Sequence, residues 1–421
     1  MRERILAGID LGSSAIRLAV GQVVAGPDKR ETINLIGAVE VPSFGISKGA
    51  VKSLDDATAA VSACLDRVER QIGVPINDAY IGIGGVHVHA KTAKGVVGVS
   101  RPDSEIREED QARVLDMATA NANPANFEIL HRIPQRFTVD DQPGVRNPVG
   151  MQGVRLEAEV CLIQGLSSHV KNLTQAVMRT NVDVSGLVFS PLATADAVLS
   201  DRQRELGAVL VNIGASTTSV AVFEDGELIH ASIIPIGADH ITSDIAIGLR
   251  TSLEVAESAK RSYVSAVPEG VNQYDMIDLR ELGATESELV SPRFMSEIAQ
   301  ARVEELFEKV QAELLKIERS GMLPAGAILT GGGSKLRGMV EMARTTLRLP
   351  ASLSPAPQIS SPLSEVLHDP AFSTAIGLLM YGFEDERDPS SSGRLGGLQA
   401  GDQWLKKVAS PFKKIFKSFI P

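Results

Sequence analysis

The sequence predicts an α/β protein of two related halves, on three observations. A short apolar strand, Ile5–Asp10, passes through a tight turn of small residues at Leu11–Ser14 into a returning strand, Ala15–Val20. The same pattern recurs about two hundred residues later as Val209–Asn212, a small-residue turn at Ile213–Thr217, and Thr218–Phe223. Apolar runs bounded by Gly and Ser read as strands joined by hairpins. Helix-like stretches at Ser53–Ile72, Ile106–Ala122 and Ser167–Thr180 lie between the hairpins, and others at His240–Tyr263 and Ser296–Ser320 follow the second. In the last of these Ile298, Val303, Leu306, Phe307, Val310, Leu314 and Ile317 fall near a 3.6 period, the mark of a half-buried helix. Strands alternating with helices predict a layered α/β architecture.

Length and composition bound the function. The chain has 421 residues, 43% of them hydrophobic and 22% charged, too long for one core, since single cores stop growing at roughly 250–300 residues. A net charge of −10 argues against a general nucleic-acid binder, which needs a basic surface for phosphate. Cys64 and Cys161 are the only cysteines, and without a CxxC pair they read as free buried thiols of a reducing compartment. Asp10 ends the opening apolar run too early for a signal peptide, and no run of about 18 apolar residues offers a membrane span. The body is therefore expected to be cytoplasmic.

The turns carry the chemistry. In Asp10-Leu11-Gly12-Ser13-Ser14, glycine lets backbone N–H groups approach phosphate oxygens and serine adds hydroxyl donors. Asp10, at a strand end, is placed to hold a hydrated Mg²⁺ through its waters. Gly214-Ala215-Ser216-Thr217 offers a matching clasp from the other half, so a nucleotide would lie in the cleft between them. A third segment, Ala327-Ile328-Leu329-Thr330-Gly331-Gly332-Gly333-Ser334, runs from a strand into a glycine turn and suits a flat adenosine platform, with a helical stretch following from Lys335. Gly333-Ser334-Lys335 is not a P-loop, and no GxGxxG lies between a strand and a helix. One glycine turn is most often only a turn; three in this order point to nucleotide.

The C-terminus departs from the rest. Residues 401–421 hold five lysines and one acid, a net of +4, together with Trp404, the only tryptophan. Trp404, Leu405, Val408, Phe412, Ile415, Phe416 and Phe419 share one helical face, with Lys406, Lys407, Lys413, Lys414 and Lys417 beside or opposite it. Such a helix suits the headgroup boundary of an anionic bilayer, where each lysine contributes about 1 kcal/mol. A helix docked on its own protein and a calmodulin-type or nucleic-acid target are the other readings. Ser410-Pro411 makes it one kinked helix or two short ones. Glu384–Gly401 has little to bury and is expected to be a disordered linker, so that the ordered body ends near Phe383.

These residues resemble the actin and sugar-kinase superfamily, and within it the FtsA family of bacterial cell-division proteins. The discriminating segments are Leu130-His131-Arg132-Ile133-Pro134-Gln135 and Arg146-Asn147-Pro148-Val149-Gly150-Met151-Gln152-Gly153-Val154-Arg155-Leu156-Glu157, similar to the small subdomain 1C of that family. The resemblance implies an actin-like two-domain fold around a nucleotide cleft, with ATP and Mg²⁺ as ligands and at most weak ATPase activity. It divides the chain into subdomain 1A at 1–85, 1C at 86–165, a return to 1A at 166–190 and 2A at 191–240. Subdomain 2B follows at 241–322, 2A again at 323–362 and 1A at 363–383, then the linker at 384–401 and a membrane-targeting helix at 402–421. Asp10, Gly12, Ser13 and Ser14 match the first phosphate motif, and Gly214, Ala215, Ser216 and Thr217 the second. Gly237 matches the glycine after the next strand, Glu257 and Lys260 the helix bordering ribose and adenine, and Gly331, Gly332 and Gly333 the adenosine motif.

Where the superfamily's second phosphate turn begins with Asp, this chain has Asn212, which keeps an oxygen but loses a charge, so slow or negligible hydrolysis is expected. The implied partners are the C-terminal peptide of FtsZ, further copies of the chain in a polymer, later division proteins and an anionic membrane surface. Arg293, in Ser291-Pro292-Arg293-Phe294, is a candidate for pairing with a peptide carboxylate. Two alternatives share the fold: a pilus-assembly adaptor of the PilM kind, and a sugar- or acetate-type kinase. His87 and His89 fall on one face of an expected strand but lack further metal ligands in the sequence around them. Arg107-Glu108-Glu109-Asp110 is expected only to favour a helix N-terminus.

Overall fold

Each half grows from its hairpin. The computed structural model describes residues 4–25, 31–120, 122 and 124–387, and the basic aromatic tail lies outside the described residues. In the first half Arg4–Leu11 pairs antiparallel with Ala15–Ala25, which pairs antiparallel with Glu31–Pro42. Asp78–Ile83 then joins Arg4–Leu11 in parallel, and Asp183–Phe189 joins Asp78–Ile83 in parallel. In the second half Ala208–Ile213, Thr218–Glu224 and Glu227–Ile234 form the same antiparallel meander, with Gly326–Thr330 and Ala351–Leu353 added in parallel on the other side. Both are five-stranded sheets of identical order and polarity, so the recurrence in sequence is a structural duplication.

Parallel neighbours require crossovers, and the halves differ in which crossover carries extra structure. In the first half, helix Leu54–Ile72 leads from the third strand to the fourth; Ser53 caps it and Gly73 ends it in the left-handed region, φ 74°. The extra structure follows the fourth strand: Val88–Gly98, Phe127–Val139, Gln142–Val145 and Arg155–Leu166 make a separate four-stranded sheet. Helix Glu108–Ala120 covers it, burying Val114 and Ala118 with Phe137, Leu156 and Val160. In the second half the addition comes one crossover earlier and is helical: Ala238–Leu249, Leu253–Tyr263 and Pro292–Lys316.

Several expectations are corrected. The single helix over His240–Tyr263 is two, because Arg250 adopts φ 52° and ends the first, while the Ser252 hydroxyl accepts the Val255 N–H and starts the second. The helix expected from Ser296 starts earlier, with Pro292 in its first turn. No helix begins at Lys335: Gly332–Lys335 is a short 3-10 turn and the helix is Met339–Leu347. Asp110 does more than favour a helix start; it is buried and paired with Arg101 and Arg113, and accepts the Arg107 N–H. The body does not end near Phe383, since helix Ser373–Arg387 runs one turn further. Asp385 accepts the Tyr80 hydroxyl at 3.0 Å, Glu386 pairs with Arg4 at 2.9 Å, and the Arg387 guanidinium lies 5.2 Å above the Phe383 ring.

Two helices join the halves. Ser190–Val198 leaves the last strand of the first sheet, yet its Leu192 and Ala195 share an apolar cluster with Leu210, Ala221 and Phe223 of the second. Ser373–Arg387 comes from the second half, yet buries Ala375, Ile376 and Leu379 with Leu6, Ala19 and Leu35 of the first. They touch backbone to backbone: a Cβ on Gly377 would lie 1.8 Å from the Ala193 carbonyl oxygen. A methyl group there can be accommodated only by separating the helices, since a backbone carbonyl cannot swing aside. Gly377→Ala is expected to cost about 3 kcal/mol, read as a lowered urea midpoint; a wild-type midpoint would show that the crossing is looser than described.

Candidate functional site

The two hairpin turns face one another across a cleft of about 720 Å³, counting its open mouth. Asp10, Gly12, Ser13 and Ser14 line one side, Asn212, Gly214, Ala215, Ser216 and Thr217 the other, and Gly331 and Gly332 complete it. The first turn is closed tightly, since a Cβ on Gly12 would sit 2.5 Å from the Ala15 oxygen. It is also tethered: Ser13 Oγ accepts the Lys48 N–H at 3.0 Å and the Ser14 oxygen accepts the Ser43 N–H at 3.0 Å. The second turn is closed by Gly214 N–H to the Thr217 oxygen, 2.9 Å. Its carbonyls are spliced to helix Ala238–Leu249, because Gly214 and Ala215 accept the N–H groups of Ala238 and Asp239, both at 2.9 Å.

Four of the expected residues support the cleft without lining it. Gly237 packs under the second turn, where a Cβ would be 2.4 Å from the Ala215 oxygen. Gly333 lies against Ile213, whose Cγ2 a Cβ would meet at 2.5 Å. Glu257 and Lys260 bond each other at 2.6 Å. Lys260 also donates to Thr242 Oγ1 at 2.7 Å and the Ala238 oxygen at 3.2 Å, and the Thr242 hydroxyl donates to Glu257 at 2.6 Å. Burial opposes the Glu257 charge, but hydrogen bonds from Lys260, Thr242 and Arg261 outweigh it and hold the carboxyl at about 2. This network clamps helix Leu253–Tyr263 to the helix end that carries the second turn.

Charge at the cleft floor is sparse. Burial pushes the Asp10 carboxyl up to about 6, against the pull of Arg17. Arg17 itself lines the cleft; it stands directly opposite Asp10 in the hairpin and donates to Glu40 at 2.7 Å. Register alone was enough to find it, since directly opposed residues share a sheet face. Asn212 donates its amide to Thr374 Oγ1 at 3.1 Å and Thr194 Oγ1 at 3.4 Å, so it anchors the second turn to both joining helices. Ser190 and Thr374 also line the cleft. They come from those helices, and no local sequence pattern marks them.

The remaining candidates lie elsewhere. His87 precedes the strand Val88–Gly98, and is buried and stacked on His169 with ring centroids 4.7 Å apart. Burial, then His169 and His89, push its ring down to about 4. No group of three or more His, Cys, Asp or Glu able to hold a metal occurs among the described residues. Arg293 sits in the first turn of Pro292–Lys316 and faces Glu297 at 3.4 Å, next to an exposed Phe294. The tail candidates Trp404 to Phe419 lie outside the described residues, among which no helix is long and apolar enough to cross a membrane.

The fold is actin-like. It superposes on the PilM–PilN type IV pilus biogenesis complex with a TM-score of 0.64 at 18% identity, covering 90% of this chain and 98% of that one. A crystal structure of MreB5 of Spiroplasma citri bound to ADP matches with a TM-score of 0.51 at 11% identity, covering 91% and 98%. Residues 209–377 match the family described as cell division protein FtsA, and residues 85–164 the SHS2 domain inserted in FtsA. The cell division protein FtsA of Pseudomonas aeruginosa is 34% identical over 98% of this chain and 97% of its own length. That of Bacillus subtilis is 31% identical over 96% and 89%, and that of Escherichia coli K12 30% over 98% of each. The chain belongs to the FtsA family of cell division proteins.

The Glu257 network has a signature in pH. A carboxyl held below its unfolded value stabilises the fold above about 4.5 and loses that contribution as pH falls toward 2. Discounted for its partial exposure, the contribution is about 2 kcal/mol. Glu257→Gln is expected to lower the stability of the protein by that amount at pH 7, with the gap to wild type closing below pH 4.5. A gap of equal size at pH 7 and pH 3 would assign the loss to packing instead.

Proposed function

We propose that the chain is an ATP-binding division protein that holds FtsZ filaments, through their C-terminal peptide, at the inner face of the cytoplasmic membrane. In this reading it also helps assemble the division ring, recruits later division proteins and polymerises with its own copies. ATP acts chiefly as a structural ligand that draws the halves together. The observation that carries this is the pair of glycine–serine turns, one from each half, lining a single cleft in a chain related to FtsA proteins over nearly its whole length. The MreB5 neighbours were solved with ADP and with AMPPNP.

The residues present fit such a ligand. Gly12 and Gly214 carry no side chain that would keep phosphate oxygens from the backbone of the turns, and Ser13, Ser14, Ser216 and Thr217 add hydroxyl donors. Asp10 would hold Mg²⁺ through water, and a cation beside it favours the carboxylate that burial disfavours. Mg²⁺ would supply charge neutralisation of the phosphates. Among the described residues Asp10 is the one acid lining the cleft, so the described lining offers a kinase no second carboxylate for proton transfer. The likeness to PilM, at 18% identity, is one of fold. The 1A, 1C, 2A and 2B division, the pairing of Arg293 with an FtsZ peptide and the membrane role of residues 402–421 belong to this proposal.

Asn212 gives the first test. Thr374 accepts its amide, and its hydroxyl can rotate to donate to a carboxylate instead. Asn212→Asp is expected to raise ATP turnover above wild type; unchanged turnover would mean that other groups limit hydrolysis. Co-sedimentation with vesicles tests the tether. With ATP present, the full chain is expected to pellet with anionic vesicles but not neutral ones, and a chain ending at Gly401 with neither. If the full chain stays in solution, membrane tethering by the tail is wrong.

A further inference from the structure

We infer that residues 130–135 of the inserted sheet form a strap that sets the angle between the two halves, by clasping Gln135 onto the edge strand of the second sheet. The reading of the cleft as a nucleotide site is assumed only for the effect on ATP below.

Two irregularities meet at the clasp. In strand Phe127–Val139, Pro134 faces Val160 and Arg136 faces Glu159 of the neighbouring strand, which leaves Gln135 as the extra residue of a β-bulge. In strand Glu227–Ile234, Leu228 faces Phe223 and His230 faces Val222, which leaves Ile229 extra. A bulge re-aims a side chain away from the regular pleat, and proline withholds an N–H from the ladder. The Gln135 amide donates to the carbonyl oxygens of Leu228 at 3.0 Å and Ile229 at 3.4 Å. Glu227–Ile234 is the edge of its sheet, so its outward carbonyls are open to a donor from another part of the chain. Arg146 and Glu205 bridge the same two parts at 3.4 Å, but this pair is exposed and contributes little.

The same strand also grips the joint. His131 Nε2 accepts the N–H of Phe189 at 2.8 Å, and Phe189 is the residue from which helix Ser190–Val198 starts. The His131 ring lies edge-on to Tyr381 of the other joining helix, 6.3 Å between centroids. One short segment therefore holds both joining helices at His131 and the far half at Gln135.

Register places the clasp at the end of the second sheet away from the cleft. Thr218, beside the phosphate-type turn, pairs with Ile234, whereas Glu224 pairs with Glu227 at the other end. At about 3.3 Å per residue, Leu228 is roughly 20 Å along the strand from the cleft. Two rigid sheets pivoting on the joining helices move in opposite senses at their two ends, so a contact that fixes the far end biases the near one. Coupling of this kind is reciprocal: whatever closes the cleft steadies the inserted sheet, and the reverse.

Gln135→Leu keeps the bulk and removes the donor. In the full chain without nucleotide, hydrogen exchange is expected to rise over 227–234 and also over 212–217, with ATP affinity about fivefold weaker, the size of one lost hydrogen bond. A rise confined to 227–234 would overturn the coupling, and no rise at either would overturn the clasp. Failure of wild type to bind ATP would overturn the nucleotide reading alone, because the exchange comparison needs no ligand. If Gln135→Leu does not fold, Gln135→Asn, one methylene too short to reach both carbonyls, takes its place with the same expectations.

Discussion

The contact of Gly377 on Ala193 governs the molecule. Each half ends in a helix that crosses to the other half, and the two helices meet where one residue has no side chain. That closeness lets Thr194 and Thr374 bond at 2.9 Å and offers both hydroxyls to Asn212. The second cleft-lining turn is thus fixed to the joint by a side chain at its own base. The first turn is fixed through Gly8, where a Cβ would lie 2.5 Å from the Ala375 oxygen, so the hairpin lies directly on the second joining helix. Without the crossing the two turns would belong to separate units with no set distance between them.

The duplication explains why the site is symmetric, and the insertions explain why the protein is not. Identical strand order brings two equivalent turns to one cleft. The insertion of the first half is a sheet after the fourth strand, and that of the second is a helical unit after the third. They therefore lie on non-equivalent crossovers. One reaches across to the opposite half through Gln135; the other carries the Glu257–Lys260 network that stiffens the second turn. Family membership accounts for the presence of the inserted sheet, while its contacts within this chain assign it a mechanical part.

Local features were legible in the sequence. Both hairpins, their turns and the glycine strand end show as apolar runs broken by Gly and Ser, and eleven of the residues expected around a nucleotide line the cleft. Most of what escaped depends on long-range contact. One miss is local: the helix expected over His240–Tyr263 breaks at Arg250, at φ 52°, whose N–H caps the first helix while the Ser252 hydroxyl starts the second. Glu257 and Lys260 were expected beside a nucleotide; that they also bond each other and Thr242, a helix away, does not show in the sequence. The helix end at Glu384–Arg387 reads as polar linker until Tyr80 and Arg4, over three hundred residues earlier, are set beside it. Ser190 and Thr374 reach the cleft only through the crossing.

The central claim is that one ligand is gripped by both halves at once. The most direct measurement is hydrogen exchange of the wild-type chain with and without Mg²⁺ and ATP, read over residues 10–17 and 212–217. The account predicts that ATP slows exchange in both segments together, with the same concentration dependence. Protection of one segment without the other, or of neither, would contradict a cleft closed by two opposed turns.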